Sequence, residues 1–151
     1  MVAGLSEVLP LAEANQITLG VEPEPSNVVA SACKARRLLD ELKSLRLKIV
    51  MDAANLFRVE DLPRMHETLD EAFDLLGGDI VLAHAKDIQL AGELRYVAAG
   101  KGSLDYDQYI SLLNAFGFAG SLILHELKES EVAGTVAFLR EKLNASKPRV
   151  A

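Results

Sequence analysis

The sequence is short of several things, and each scarcity narrows the answer. A single cysteine, Cys33, leaves no intramolecular disulfide to form, which suits a reducing compartment and predicts a cytoplasmic protein. No apolar run reaches the roughly 18–20 residues needed to cross a bilayer, so no membrane span is expected. The start, MVAGLSEVLPLAEANQ, lacks a basic segment followed by a long apolar stretch, so no signal peptide is expected. Positive charge is in deficit: 16 Lys and Arg against 22 Asp and Glu leave a formal charge of −6, which argues against a general nucleic-acid partner. Low-complexity segments and interdomain linkers are absent. Gly100-Lys101-Gly102 is not a phosphate loop, because the six-residue spacing and the following Ser or Thr are missing.

What is present is the material of a globular core. Of 151 residues, 50% are hydrophobic and 25% charged, too apolar for a disordered chain, and one domain over 1–151 is the default. Short aliphatic runs, Ile17–Glu22, Lys48–Asp52, Ile80–His84 and Ser121–His125, read as strands buried on both faces. Between them lie segments of helical spacing. In Ser26–Arg46, Val29, Cys33, Leu38, Leu39, Leu42 and Leu45 share a face, which places Cys33 in the core. In Leu62–Leu76, Met65, Leu69 and Phe73 step by four, with Asp61 as N-cap, Pro63 in the first turn and Gly77–Gly78 as the stop. Helices are also expected over Val2–Asn15, interrupted or delayed by Pro10, over Asp107–Phe116, and from Ser130 with Val132, Val136, Leu139 and Leu143 inward. Ile88–Ser103 reads as a glycine-containing loop and Asn144–Ala151 as a frayed tail. His66 and the Lys34, Arg36, Arg37 group read as surface residues.

The resulting order, αβαβαβαβα, with strand ends 30, 32 and 41 residues apart, implies a parallel sheet with helical crossovers. Ligands in such folds bind at the carboxyl ends of the strands. Here all four strands end in a potential metal ligand: Glu22, Asp52, His84 and His125, the last followed by Glu126. Two of the three histidines hold such positions. Side-chain alternation sets Ile49 and Met51 opposite Asp52, and Val81 and Ala83 opposite His84. The fourth ligand is His125 or Glu126. Pointing His125 inward turns Leu122 and Leu124 toward the helices, which buries more apolar surface and favours His125. An oxygen and nitrogen set of this kind suits one divalent ion, Mn²⁺, Mg²⁺, Co²⁺ or Zn²⁺.

The successive runs GVEPEPSN, KIVMDAANL, IVLAHAKD, VAAGKGSLDY and GSLILHEL resemble the C-terminal half of the sugar phosphate isomerase/epimerase family, which has the xylose-isomerase-like TIM barrel and endonuclease IV as a distant relative. The resemblance covers nearly the whole chain. It implies a parallel (β/α)4 half of a TIM barrel matching the last four strands of a (β/α)8 barrel. It also implies Glu22, Asp52 and His84 as metal ligands, with a fourth at His125, where many members carry Glu. Roles in binding substrate are implied for Asn55, for Lys86 and Asp87 of the HAKD run, and for Arg95 or Lys101.

The chemistry that follows is proton transfer beside a carbonyl, through an enediolate, on a small sugar or sugar phosphate. Glu22 is the first candidate base and Glu126 or His125 its partner; Lys86 could neutralise an oxyanion or phosphate. Competing readings are an inactive or truncated barrel kept as a binding module, and DNA repair of the endonuclease IV type, which the acidic charge disfavours. A flavodoxin-like doubly wound fold is the structural alternative. A full barrel needs about 250 residues. A four-strand unit is therefore expected to self-associate or to pair with a complementary N-terminal half-barrel, because open sheet edges invite pairing.

Overall fold

The computed structural model describes residues 1–146. Strands β1 (Leu19–Val21), β2 (Leu47–Asp52), β3 (Ile80–Ala91) and β5 (Ser121–Leu124) lie side by side in that order, every neighbouring pair parallel. Helices α1 (Val2–Ala14), α2 (Ala32–Leu42), α3 (Met65–Leu76), α4 (Tyr106–Ala115) and α5 (Val132–Ala145) flank and connect them. This is the α/β crossover architecture that the alternation implied. Among the described residues no helix is long and apolar enough to cross a membrane.

Alternation along the strands decides which side chains meet the helices. Leu47, Ile49, Met51, Ala83 and Ala85 are buried and form the core with Leu38, Leu39, Leu69, Phe73, Ile110 and Leu113 of the helices. Leu122 and Leu124 pack on the same core, as expected if His125 points the other way. The opposite face carries Glu22, Asp52, His84 and the position after Leu124. It is partly open, with Ile123 42% exposed. A register shift between Ile49 and Val50 places the bulge near Val81, which is exposed instead of joining Ala83 in the core.

Two tyrosines of α4 pin the strands behind the site. The Tyr109 hydroxyl lies 3.1 Å from the Met51 carbonyl oxygen and 3.2 Å from that of His84, so it can donate to either strand end. The Tyr106 hydroxyl donates to the Lys86 carbonyl at 3.0 Å. Burial pushes both phenols up, and the negative charges nearby add to it, Asp87 and Asp52 for Tyr106 and Asp52 for Tyr109. Both therefore stay protonated donors.

Several sequence expectations are corrected. The expected loop Ile88–Ser103 is mostly a hairpin: β3 runs on past His84 and pairs antiparallel with β4 (Glu93–Ala98), from Lys86 opposite Ala98 to Ala91 opposite Glu93. Gly92 at the tip has φ +80°, a conformation glycine adopts without a Cβ penalty. Helix α2 is shorter than Ser26–Arg46. Ser31 caps its first turn through Lys34 N–H at 3.3 Å, while residues before it form a loop folded around Glu24, which accepts from Ser26 Oγ and Asn27 Nδ2. Cys33 is exposed, because Ala35, Leu38 and Leu39 hold the inward face. Asp61 is not the N-cap of α3: it lies inside a 3-10 turn, Val59–Arg64, where it accepts from Arg58 N–H at 2.9 Å, and α3 proper begins at Met65 after Arg64. Helix α1 continues through Pro10. Helix α5 follows a 3-10 turn, Glu129–Glu131, and buries Thr135 and Leu139, while Val132 and Leu143 are exposed. Of the expected frayed tail, Asn144 and Ala145 are helical and residues 147–151 lie outside the described residues.

At the amino ends of the strands, Asp79 bridges Lys48 (2.7 Å) and Arg36 (2.9 Å), and Arg36 also meets Asp40 at 2.8 Å. Burial alone raises the Asp79 carboxyl, but the hydrogen bonds from Lys48 and Arg36 outweigh it and hold the group below its ordinary range. A carboxyl lowered on folding stabilises the fold above its unfolded value of about 3.9, and the contribution is lost as pH falls through the lower folded value. Asp79→Asn is therefore expected to cost about 1 kcal/mol near pH 7, and the gap to the parent should shrink below about pH 4 in urea melts. A constant gap down to pH 2 would contradict this.

Candidate metal centre

The carboxyl ends of β1, β2 and β5, and the stretch of β3 where its parallel pairing ends, deliver Glu22, Asp52, His84 and His125 to the open face of the sheet. Parallel register carries three of them into line: Asp52 pairs with His84, and His84 with Ile123, two residues before His125. Donor atoms of Asp52, His84 and His125 lie within 4.8 Å of one another. The two imidazoles stack with centroids 5.1 Å apart and planes 16° from parallel. Glu22 joins through its Oε1, which is 3.2 Å from His84 Nδ1.

Polar partners fix this group from below. Asp52 is buried; its Oδ1 accepts from Ala54 N–H at 3.0 Å, at the start of the 3-10 turn Ala53–Leu56. Asn55, on that turn, donates to Glu22 Oε1 at 2.9 Å and accepts from Lys86 Nζ at 2.6 Å. Lys86 is 4% exposed, lies 3.1 Å from Asp52 Oδ2 and sits 3.7 Å from the centre of the Tyr96 ring. The buried lysine thus has an ion-pair partner, a hydrogen bond and an aromatic lid.

The donor set fits a divalent cation on two observations. Asp52 Oδ2 is buried without a hydrogen-bond partner in acceptable geometry, despite Lys86 nearby. His84 Nδ1 also faces two carboxylates, 3.2 Å from Glu22 and 3.5 Å from Asp52. An imidazole lone pair repels carboxylate oxygens at that range unless a proton or a cation lies between them.

Other residues singled out in the sequence fall elsewhere. Asp87 is spent on the backbone: Oδ1 accepts from Ile88 N–H (2.8 Å) and Leu104 N–H (2.9 Å), Oδ2 from Gly100 and Gly102 N–H (both 3.0 Å). It shapes the 98–104 turn. Arg95 pairs with Gln89, on the face of the hairpin away from Lys86, and its guanidinium lies 2.7 Å from Glu93. The residue that does reach the site from β4 is Tyr96, whose cross-strand partner Ile88 shares a face with Lys86 and His84. The sequence signal for it was the alternation Leu94-Tyr96-Ala98 beyond Gly92. Burial raises the Tyr96 phenol, and Glu24, Asp52, Glu126 and Glu22 raise it further. Glu126 is exposed at φ +52°, a left-handed conformation that costs a non-glycine residue about 1 kcal/mol and turns the chain sharply after β5. Lys101 is exposed in the 98–104 turn, and His66 is exposed and paired with Asp105 at 3.0 Å.

Comparison with known proteins gives the geometry a context. No curated protein gives a significant match to the sequence. A D-tagatose 3-epimerase-like protein superposes with a TM-score of 0.79 at 18% identity, over 99% of this chain and 55% of its own. The 3-keto-D-glucoside 4-epimerase from E. coli gives 0.68 at 20% identity, over 93% of this chain and 52% of its own. A xylose isomerase-like TIM barrel protein from Mycobacterium smegmatis, solved in complex with magnesium, gives 0.69 at 16% identity, over 97% and 50%. The chain therefore spans about half the length of the solved structures it matches. The family pattern described as xylose isomerase-like TIM barrel matches residues 1–143, and the chain belongs to that family.

Proposed function

We propose that the chain carries the metal-binding part of an isomerase or epimerase that moves a proton beside the carbonyl of a sugar or sugar phosphate. The observation that supports this reading best is the meeting of Glu22, Asp52, His84 and His125 from four neighbouring parallel strands, around a buried Asp52 oxygen that lacks a hydrogen bond. Asp52, His84, His125 and Glu22 would hold the ion. When bound, a divalent ion polarises the carbonyl and its neighbouring hydroxyl and stabilises enediolate charge. Glu22, tied to Asn55, takes the proton from carbon, and Glu126 or His125 serves as the second proton carrier. Lys86 keeps a positive charge beside Asp52, and Tyr96 closes one wall.

The test is a panel of ketoses, aldoses and their phosphates, incubated in deuterated water with the metal-loaded protein. Deuterium should enter the carbon next to the carbonyl of one of them; its absence from all of them, with metal bound, would count against the proposal.

We also propose that a second copy of the chain covers the open face in solution, since Ile123 lies exposed there and β1 and β5 are sheet edges among the described residues. Sedimentation of the 151-residue chain is expected to give a dimer or larger species, and a monodisperse monomer would overturn this.

A further inference from the structure

Resting on the metal reading above, we infer that His125 tunes this centre toward ions that favour nitrogen, Zn²⁺ and its neighbours, and away from Mg²⁺ and Mn²⁺. Two imidazoles, His84 and His125, stand with two carboxylates, Glu22 and Asp52: donor atoms of Asp52, His84 and His125 lie within 4.8 Å of one another, and Glu22 Oε1 is 3.2 Å from His84 Nδ1. Imidazole suits Zn²⁺, Fe²⁺ and Ni²⁺, whereas Mg²⁺ and Mn²⁺ favour carboxylate, carbonyl and water oxygens.

Charge points the same way. Glu22 and Asp52 bring two negative charges, and Lys86, 3.1 Å from Asp52 Oδ2, offsets one of them. A hard, strongly hydrated ion is held mainly by charge and oxygen count, and this centre is poor in both. The stacking of His125 on His84 keeps the second imidazole beside the first. It is also the exposed member of the set, so its replacement leaves the buried Asp52 and Lys86 arrangement in place.

Any site of nitrogen and oxygen donors binds Zn²⁺ more tightly than Mn²⁺, so the informative quantity is the change in that preference between variants. The full chain is stripped with chelator, and Zn²⁺ and Mn²⁺ are titrated separately by calorimetry into the parent, His125→Glu, His125→Gln, Glu126→Gln and Asp52→Ala. Circular dichroism checks each fold. Replacing His125 with Glu is expected to lower the ratio of Zn²⁺ to Mn²⁺ affinity about tenfold or more, by weakening Zn²⁺ and strengthening Mn²⁺. His125→Gln should weaken Zn²⁺ without strengthening Mn²⁺, and Glu126→Gln should leave the ratio unchanged. The visible spectrum of the Co²⁺-loaded parent should change on His125→Glu. An unchanged ratio and spectrum in His125→Glu, or a ratio that moves in Glu126→Gln instead, overturns the inference while leaving the metal reading intact. Failure of the parent to bind either ion overturns both. Binding that survives Asp52→Ala places the ion elsewhere and also overturns both.

Discussion

Asp87→Ala is expected to destabilise the protein by about 3–5 kcal/mol, the largest effect of any single substitution considered. The carboxylate is 1% exposed and its two oxygens receive four backbone N–H groups, from Ile88, Leu104, Gly100 and Gly102. Removing it leaves these donors without partners, two of them buried, and each costs about 1–3 kcal/mol to leave unmet before the turn relaxes. Crowding makes the site hard to repair. A Cβ on Gly102 would overlap the Ile88 carbonyl oxygen and the Asp87 carboxylate, so the turn wraps closely around its acceptor. For a chain of this size the loss corresponds to a fall in Tm of about 10 °C. Asp87→Asn should recover little, because its amide nitrogen presents hydrogens to N–H groups. A fall of under 2 °C for the alanine variant would contradict the assignment of Asp87 to the backbone.

Asp52→Asn is expected to act most strongly on the centre, and it costs stability as well, because it leaves the buried Lys86 ammonium without its carboxylate. Asparagine keeps an oxygen for Ala54 N–H, and Lys86 keeps its bond to Asn55 and its place under Tyr96. What disappears is the negative charge and the second oxygen, which an amide NH2 replaces at the point where Glu22, His84 and Lys86 converge. Metal affinity should fall about 100-fold or more, and deuterium exchange into substrate should fall with it. Unchanged affinity in Asp52→Asn would remove Asp52 from the ligand set.

These two aspartates show how far the sequence could be read. Both are buried, Asp52 at the end of β2 and Asp87 within β3, and both belong to motifs that resemble the family. The common face of Glu22, Asp52, His84 and His125 was legible because a strand alternates with period two, and because parallel strands spaced by helical crossovers place their carboxyl ends together. The separate destinies of Asp52 and Asp87 were not legible, since they depend on which backbone N–H groups a distant turn brings near. The same holds for Arg95. Reading 88–103 as a loop hid the alternation of β4, and only the hairpin register shows that Tyr96 shares the face of Lys86 while Arg95 does not. Gly92 was the available clue, a lone turn residue centred between Ile88-x-Leu90 and Leu94-x-Tyr96. Cys33 differs for another reason: apolar spacing over 26–46 suggests one long face, but the helix has 11 residues and its inward stripe begins at Ala35.

Bound metal per chain tests most directly whether Glu22, Asp52, His84 and His125 form one divalent-ion centre. Stripped protein dialysed against Zn²⁺ or Mn²⁺ and measured by elemental analysis is expected to hold one ion per chain, lost in both Asp52→Asn and His84→Ala variants that remain folded. No retained ion in the parent, or full retention in both variants, would contradict it.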